Sequence, residues 1–268
     1  MSRGRKWTGA LADGDVAAVI PSVITADLTL GGDTARLVAV VPDPDSPYRR
    51  ARAGEVGLAE GLSLAEAVTR VVTEDARLPD ERRRPVIAVV DVPSQAYGRL
   101  EELLGIHHAL AVATDAYVTA RTAGHPVIAL IVGTALSGGF LAHGAQAGQI
   151  LALDDPGVVI HAMHKEAAAK VTRRTIEELD ELGRRILPLS YAVADWAQLG
   201  LCDELLDVQD AGDPTPEDVQ KVKAALAAAV GRARQGPRDL SGRLTSPSAR
   251  HTRAASRRVH EALAAQWR

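Results

Sequence analysis

The sequence predicts an α/β layer structure on two observations. Two nearly uninterrupted apolar runs, PVIAVVD at residues 85–91 and VIALIVG at residues 127–133, have the composition of strands covered on both faces. Helical segments lie between and around them, and alternation of buried strands with helices is the pattern of parallel strands joined by crossovers. The 268 residues, 46% of them hydrophobic, fit one such domain with extensions better than two small domains.

Residues 1–34 are rich in Gly, Asp and Thr and hold one short strand candidate at 16–20, so they are set apart as an N-terminal extension. ARLVAVV at 35–41 is a β-rich run that stops at the breaker cluster PDPDSP. Ser63 with Glu66 three residues later is a helix-start pairing, and Leu64, Val68, Val71 and Val72 give that helix one apolar face. After the strand at 85–91 a long helix is expected over 99–123, stopped by Gly124-His125-Pro126. The strand at 127–133 then runs into a helix that opens on Ser-Gly-Gly. QILAL at 149–153 and GVVIHAM at 157–163 read as two further strands.

Thr175 and Glu178 form a second capping pair ahead of Leu179, Leu182 and Ile186. A last strong helix starts at Thr215, with Pro216 in its first turn and Val219, Val222, Leu226 and Val230 on one side. Past Gln235 the composition turns to Gly, Pro, Ser and Arg. The expected division is therefore an extension at 1–34, a main domain at 35–235 and a basic tail at 236–268, partly helical or disordered, with a short helix over 248–266.

Composition narrows the function. Cys202 is the single cysteine, so no intrachain disulfide and no paired-cysteine metal or redox motif can form, which fits a reducing cytoplasm. The basic N-terminus lacks the apolar stretch of a secretory signal. The most membrane-like run, 126–142, holds three glycines and a serine and is short for a span, so no membrane partner is expected. Aromatic residues make up 3%, too few for single-strand nucleic-acid stacking platforms. Residues 232–268 carry nine Arg against Asp239 and Glu261, so a formal net charge of -3 hides a positive tail on an acidic body. That tail reads either as a solvated segment or as a docking surface for an acidic partner.

The stretch VGTALSGGFLAHG at 132–144 places paired glycines where a helix begins, although glycine is a poor helix former. Backbone N–H groups of a first turn lack helical partners and point out with the positive end of the helix dipole behind them. Gly138 and Gly139 leave that turn open to a negative oxygen, or else serve close helix packing. An oxyanion hole needs a second donor. DVPSQAYG at 91–98, the loop after the neighbouring strand, is placed to supply one from Ala96, Tyr97 or Gly98.

VVDVPSQAYG, GIHHALAVATDAYVTARTAGHPVIALIVG, SGGFLAHG and ILALDDPGVVIHAM, in this order, resemble the C-terminal half-domain of the carboxyltransferase family, with its crotonase-type ββα superhelix. The likeness spans about residues 35–207. Within that family, ELLGI at 102–106, ALSGGFLAHG and RRTIEELDEL are most similar to the gamma subunit of biotin-independent malonate decarboxylase. Ser94 stands where biotin-dependent relatives have Gly, and the loop at Tyr97-Gly98 is shorter, which favours the biotin-free branch.

The resemblance implies decarboxylation of malonyl-S-acyl carrier protein to the acetyl form by a hetero-oligomer. Its partners would be the paired beta subunit and an acyl carrier protein, whose CoA-like phosphopantetheine arm carries the substrate; no cofactor is held directly. The alternatives are a biotin-dependent gamma subunit, a stand-alone enoyl-thioester hydratase or isomerase, and a non-catalytic scaffold. Gly138 and Gly139 would face the Tyr97-Gly98 loop across an anionic oxygen. His161, near the expected mouth, is the candidate proton carrier. His143 reads as a packing or capping group, and His107 and His108 as surface groups. Lys165 and Lys170, in HKEAAAKVTRR, are expected to attract the arm's phosphates or an acidic carrier. Asp154 and Asp155 precede Pro156-Gly157 as turn formers, and no metal site is expected.

Overall fold

The computed structural model describes residues 1–267. Its strands are β1 (Ala17–Ile20), β2 (Val23–Leu30), β3 (Asp33–Val40), β4 (Val86–Val92), β5 (Val127–Leu136), β6 (Gln149–Leu153), β7 (Val159–His161) and β8 (Glu204–Leu206). The α-helices are α1 (Arg3–Leu11), α2 (Leu58–Glu74), α3 (Arg99–Leu103), α4 (Ile106–Thr122), α5 (Ser137–Ala142) and α6 (Lys165–Thr172). They continue with α7 (Ile176–Arg185), α8 (Val193–Gln198), α9 (Pro216–Gln235), α10 (Gly242–Thr245), α11 (Pro247–Thr252) and α12 (Ala254–Gln266).

One sheet runs in the order β1-β2-β3-β4-β5-β6-β8, antiparallel from β1 to β3 and parallel beyond. The two apolar runs are β4 and β5, its central pair, and all but Asp91 and Thr134 in them are buried. β5 forks. Its first half, at Ile128–Ile131, pairs with β6, and its last three residues, Thr134–Leu136, pair with β7.

Two helix pairs cover the sheet, α2 with α4 and α1 with α9. Gly61 is what lets α2 approach α4, because a Cβ there would stand 2.8 Å from the Ala109 carbonyl oxygen. The segment set apart at 1–34 contributes Trp7, Leu11, Val23, Ile24 and Leu28 to the common core. The Trp7 indole N–H donates to the Ala211 carbonyl at 2.9 Å, and the Gly4 N–H donates to Asp91 Oδ2 at 3.1 Å. The helix and the β-hairpin of that segment escaped the sequence reading, which gave it one strand; its dense Gly and Asp are turn signals around short elements.

Three other boundaries differ. α2 begins at Leu58, where Glu60 Oε2 accepts the Gly57 N–H at 3.0 Å, so Ser63 lies inside the helix. The helix expected over 99–123 breaks at Gly105, whose φ of 83° is left-handed. The strand expected over 157–163 is paired only at Val159–His161. The capping pairs at Thr175/Glu178 and the start at Thr215 stand as expected.

The tail is helical and its first part packs back on the domain. Ala249 is fully buried, Thr252 Oγ1 donates to the Gln198 carbonyl at 2.8 Å, and Arg243 donates to the Ala147 carbonyl at 2.5 Å. α12 has no buried residue.

Candidate functional site

Because β4 and β5 are parallel, with Val92 opposite Ala135, the loop at 93–98 and the start of α5 emerge at the same end of the sheet. They touch. The Gly138 N–H donates to Gln95 Oε1 at 2.9 Å, and a Cβ on Gly139 would collide with the Ser94 carbonyl oxygen and stand 2.6 Å from Val92 Cγ1. Gly139 is therefore required by close packing against the loop. Gly138 is less constrained: the nearest atoms a Cβ there would meet belong to the Gln95 side chain, at 3.2 Å, close enough that this side chain has to give slightly.

Gln95 decides what the turn does at rest. Its amide oxygen is the acceptor that holds the Gly138 N–H. Of the three candidate second donors, Ala96 N–H goes to the Val56 carbonyl at 2.8 Å and Tyr97 N–H to the Gln95 carbonyl at 3.0 Å. The Gly98 N–H has no hydrogen-bond acceptor among the described residues, and the buried Glu101 carboxylate packs against the same glycine. The Tyr97 side chain is 53% exposed, at the rim.

β7 brings His161 to the same end, since it is the register partner of Leu136 beside the turn. The ring stacks on Tyr191 with centroids 4.0 Å apart, and Nδ1 faces the Met163 backbone, 3.1 Å from its carbonyl oxygen and 3.2 Å from its nitrogen, whose N–H donates to the ring. The same oxygen accepts the Tyr191 hydroxyl at 2.7 Å. Burial of the ring lowers the pKa of His161, partly offset by the Met163 carbonyl. Burial likewise raises the Tyr191 phenol to about 12, helped by Glu166 and Asp180.

His143 ends α5 inside the core. Its Nδ1 lies 2.9 Å from the Tyr117 hydroxyl and its Nε2 lies 3.1 Å from the Val89 carbonyl, so it caps and packs as expected. His107 and His108 are exposed on α4. Lys165 is tied to Asp180 at 2.6 Å and lies 5.1 Å from the Tyr191 ring centroid, whereas Lys170 is exposed. Gly138, Gly139, Gly98 and His161 thus share one sheet end, with Lys165 reaching it through Tyr191. Among the described residues no group of three or more His, Cys, Asp or Glu is placed to hold a metal ion, and no helix is long and apolar enough to cross a membrane.

Gln95 and Tyr191 carried no sequence signal, because a single polar residue in a loop has no period. Ser137 did carry one, being the first residue of the Ser-Gly-Gly corner.

This fold, with a helix opening on glycines against the loop of the neighbouring parallel strand, is that of a carboxyltransferase-type, crotonase-like domain. It is shared with transcarboxylase 12S at a TM-score of 0.63 and 21% identity, over 88% of this chain and 41% of that chain. The family model for the malonate decarboxylase gamma subunit matches residues 51–267, and the chain belongs to that family. A chain of a Pseudomonas malonate decarboxylase hetero-tetramer in complex with coenzyme A is 49% identical, with a TM-score of 0.91 and all of both chains covered. A chain of the Pseudomonas MdcD–MdcE hetero-dimer is 48% identical, with a TM-score of 0.90 and the same coverage. Among curated proteins, the malonyl-S-ACP:biotin-protein carboxyltransferase MADD of Malonomonas rubra is 35% identical over 159 residues, 59% of this chain and 54% of that protein. The chain spans about half the length of that relative.

Proposed function

We propose that this subunit, with a paired carboxyltransferase-like beta subunit, decarboxylates malonyl-S-acyl carrier protein to acetyl-S-acyl carrier protein and CO2 in the cytoplasm. The observation that carries this reading is the Gly138 N–H aimed at an amide oxygen of Gln95. A carbonyl-type oxygen already sits where the substrate's anionic oxygen is to be held. When the carbon–carbon bond to the carboxylate breaks, its electron pair moves into the thioester as an enolate. Donors fixed at the oxygen positions stabilise that charge without reorganising. Gly138 and Gly98 are the donors on this side, Gly139 sets the approach of their two segments and Tyr97 lines the rim. His161 carries the proton that the new carbanion takes up. Lys170, and Lys165 from its perch on Tyr191, attract the phosphates of a CoA-like arm; that a relative was solved with coenzyme A supports this.

The test isolates one donor. Gly138→Pro removes the N–H in the first turn of α5, and Gly138→Ala keeps it; recovery of the intact complex controls for any strain the proline places on Ser137. In a complex recovered intact, the proline variant is expected to lose about 100-fold or more in CO2 release from malonyl carrier protein, the usual effect of one oxyanion donor. The alanine variant stays within several-fold. Equal rates for the two variants would overturn the reading.

One observation favours a second reading: the curated relative acts on a biotin protein. In that case the assembled complex loses activity with avidin. Activity that avidin leaves untouched assigns the subunit to the biotin-free branch.

A further inference from the structure

A cavity of about 390 Å³ lies at the other end of the sheet, between the ends of α4 and α9 and the strap of tail at residues 236–243. Val127 and Gln149, the first residues of β5 and β6, stand in its wall. The ten residues of β5 separate it from the glycine turn by about 30 Å of strand. Its volume is that of a small-molecule pocket, for which about 300–1,000 Å³ is usual. Five arginines line it, and three of them are neutralised by carboxylates. Arg232 pairs with Glu204 at 2.8 Å, Arg234 with Asp33 at 2.8 Å, and Arg238 with Asp80.

Arg121 and Arg243 differ from these three, since neither has a carboxylate within ion-pair distance among the described residues. Arg121 is 8% exposed; its Nε donates to the Gln146 carbonyl at 3.0 Å and its Nη1 to the Arg238 carbonyl. Arg243 Nη2 donates to the next carbonyl of the same turn, that of Ala147, at 2.5 Å. Successive carbonyls therefore hold two like charges side by side. Burial, with repulsion from Arg121, brings the Arg243 pKa down to about 10 against the pull of Asp203, and burial lowers that of Arg121 against the pull of Asp239. Neutral carbonyls offset only part of the cost of holding such charges out of water. The carboxylates of the wall are held by other groups: Asp203 Oδ2 accepts the Ile150 N–H at 2.6 Å, and Asp239 Oδ1 accepts the Ser241 N–H at 2.9 Å and its hydroxyl at 2.5 Å. Glu81 is exposed at the rim. Arg121 Nη2 and Arg243 Nε and Nη1 bond to none of the described residues. Because no fully buried side-chain nitrogen among those residues lacks a partner, these three atoms are open, and the space beside them is the cavity.

We propose that this cavity binds a small phosphomonoester, whose phosphoryl dianion is gripped between the guanidinium groups of Arg121 and Arg243. A phosphate monoester carries nearly two charges and three acceptor oxygens, so one group answers both arginines, where a single carboxylate answers one. The volume leaves room for an organic part beside the phosphate. Arg121 belongs to α4 and Arg243 to the tail, so the ligand ties the tail to the body of the domain and stabilises the fold. The site is independent of the decarboxylase reading, and none of its residues belongs to the glycine turn or its neighbours.

The experiment heats the full chain, in complex with its paired subunit, with millimolar glycerol 3-phosphate, inorganic phosphate, succinate or potassium chloride at one ionic strength. Glycerol 3-phosphate is expected to raise Tm by about 3 °C or more over chloride, the effect of a ligand well above its Kd, with inorganic phosphate giving less and succinate nothing. Arg243→Gln is expected to abolish the rise. A second measurement needs no variant to fold: phenylglyoxal modification of the wild-type complex, mapped by mass spectrometry. There glycerol 3-phosphate is expected to slow modification of Arg243 about 10-fold while Arg257 and Arg258, on the exposed α12, react at an unchanged rate. No rise in wild type, a rise that survives Arg243→Gln, or equal protection of all three arginines overturns the site. A rise with succinate as large as that with glycerol 3-phosphate overturns the phosphoryl assignment, and equal rises with the two phosphates overturn the organic part of the ligand.

Discussion

The Tyr117 hydroxyl and His143 Nδ1 lie 2.9 Å apart with both side chains fully buried, linking α4 to the end of α5. His143 Nε2–H donates to the Val89 carbonyl of β4, so a neutral imidazole satisfies both ring nitrogens at once. Tyr117→Phe leaves Nδ1 buried without a donor, and a loss of about 1–3 kcal/mol is expected in urea unfolding of the intact chain. A change below about 0.5 kcal/mol would show that the pair contributes little.

The same pair gives stability a pH dependence of fixed sign. Burial pushes the His143 pKa from 6.5 down to about 4. Between those values the unfolded chain binds a proton that the folded chain refuses, so stability falls as pH drops through the window and levels off below about 4. The full difference is on the order of 3 kcal/mol. His125 and His161 are depressed in the same direction, also by burial. His143→Gln is therefore expected to flatten, without abolishing, the decline of Tm between neutral pH and the mid-acid range; an unchanged slope contradicts the assignment.

If Gly138 binds the substrate oxygen as proposed, Gln95 competes with it for that N–H. Gln95→Ala clears that donor, and the Michaelis constant for a malonyl thioester is expected to drop several-fold with kcat little changed. A large fall in kcat at constant Michaelis constant would show instead that the amide takes part in the transition state.

The tail is anchored at Gly200, which has φ of 73° and where a Cβ would lie 2.6 Å from the Arg243 carbonyl oxygen and 2.7 Å from Ala249 Cβ. Gly200→Val is expected to lift α10 and α11, lower Tm and speed trypsin cleavage in the Arg-rich segment beyond 236 relative to wild type. Cleavage at the wild-type rate would mean that the contact does not hold the tail.

Legibility followed periodicity. β4, β5 and β6 were readable because strands buried on both faces are apolar without interruption, and Thr175 and Thr215 because capping chemistry is local. β2 and α1 were not, since Val23–Leu30 mixes Thr and Asp with apolar residues, and the burial of Trp7 depends on Ala211, some two hundred positions away. In the site, the Ser-Gly-Gly corner and His161 were visible as residue types at strand ends. Gln95 and the Tyr191 shelf exist only through contacts between distant segments. The break at Gly105 was present as a glycine in a helical pattern, but Leu103, Leu104 and Ile106 on either side kept the apolar spacing intact.

The fork in β5 has a mechanical consequence. Four positions of that strand, Ile128–Ile131, are paired on both sides, whereas the last three pair with a neighbour only three residues long, from which the arm of α6 and α7 departs, and on the other side only through Ala135 with Val92. Load applied to the arm is therefore passed through three rungs to the corner at Ser137, while β3, β4 and β6 are each paired on both sides. The corner is thus tied to the outside of the molecule by a short lever.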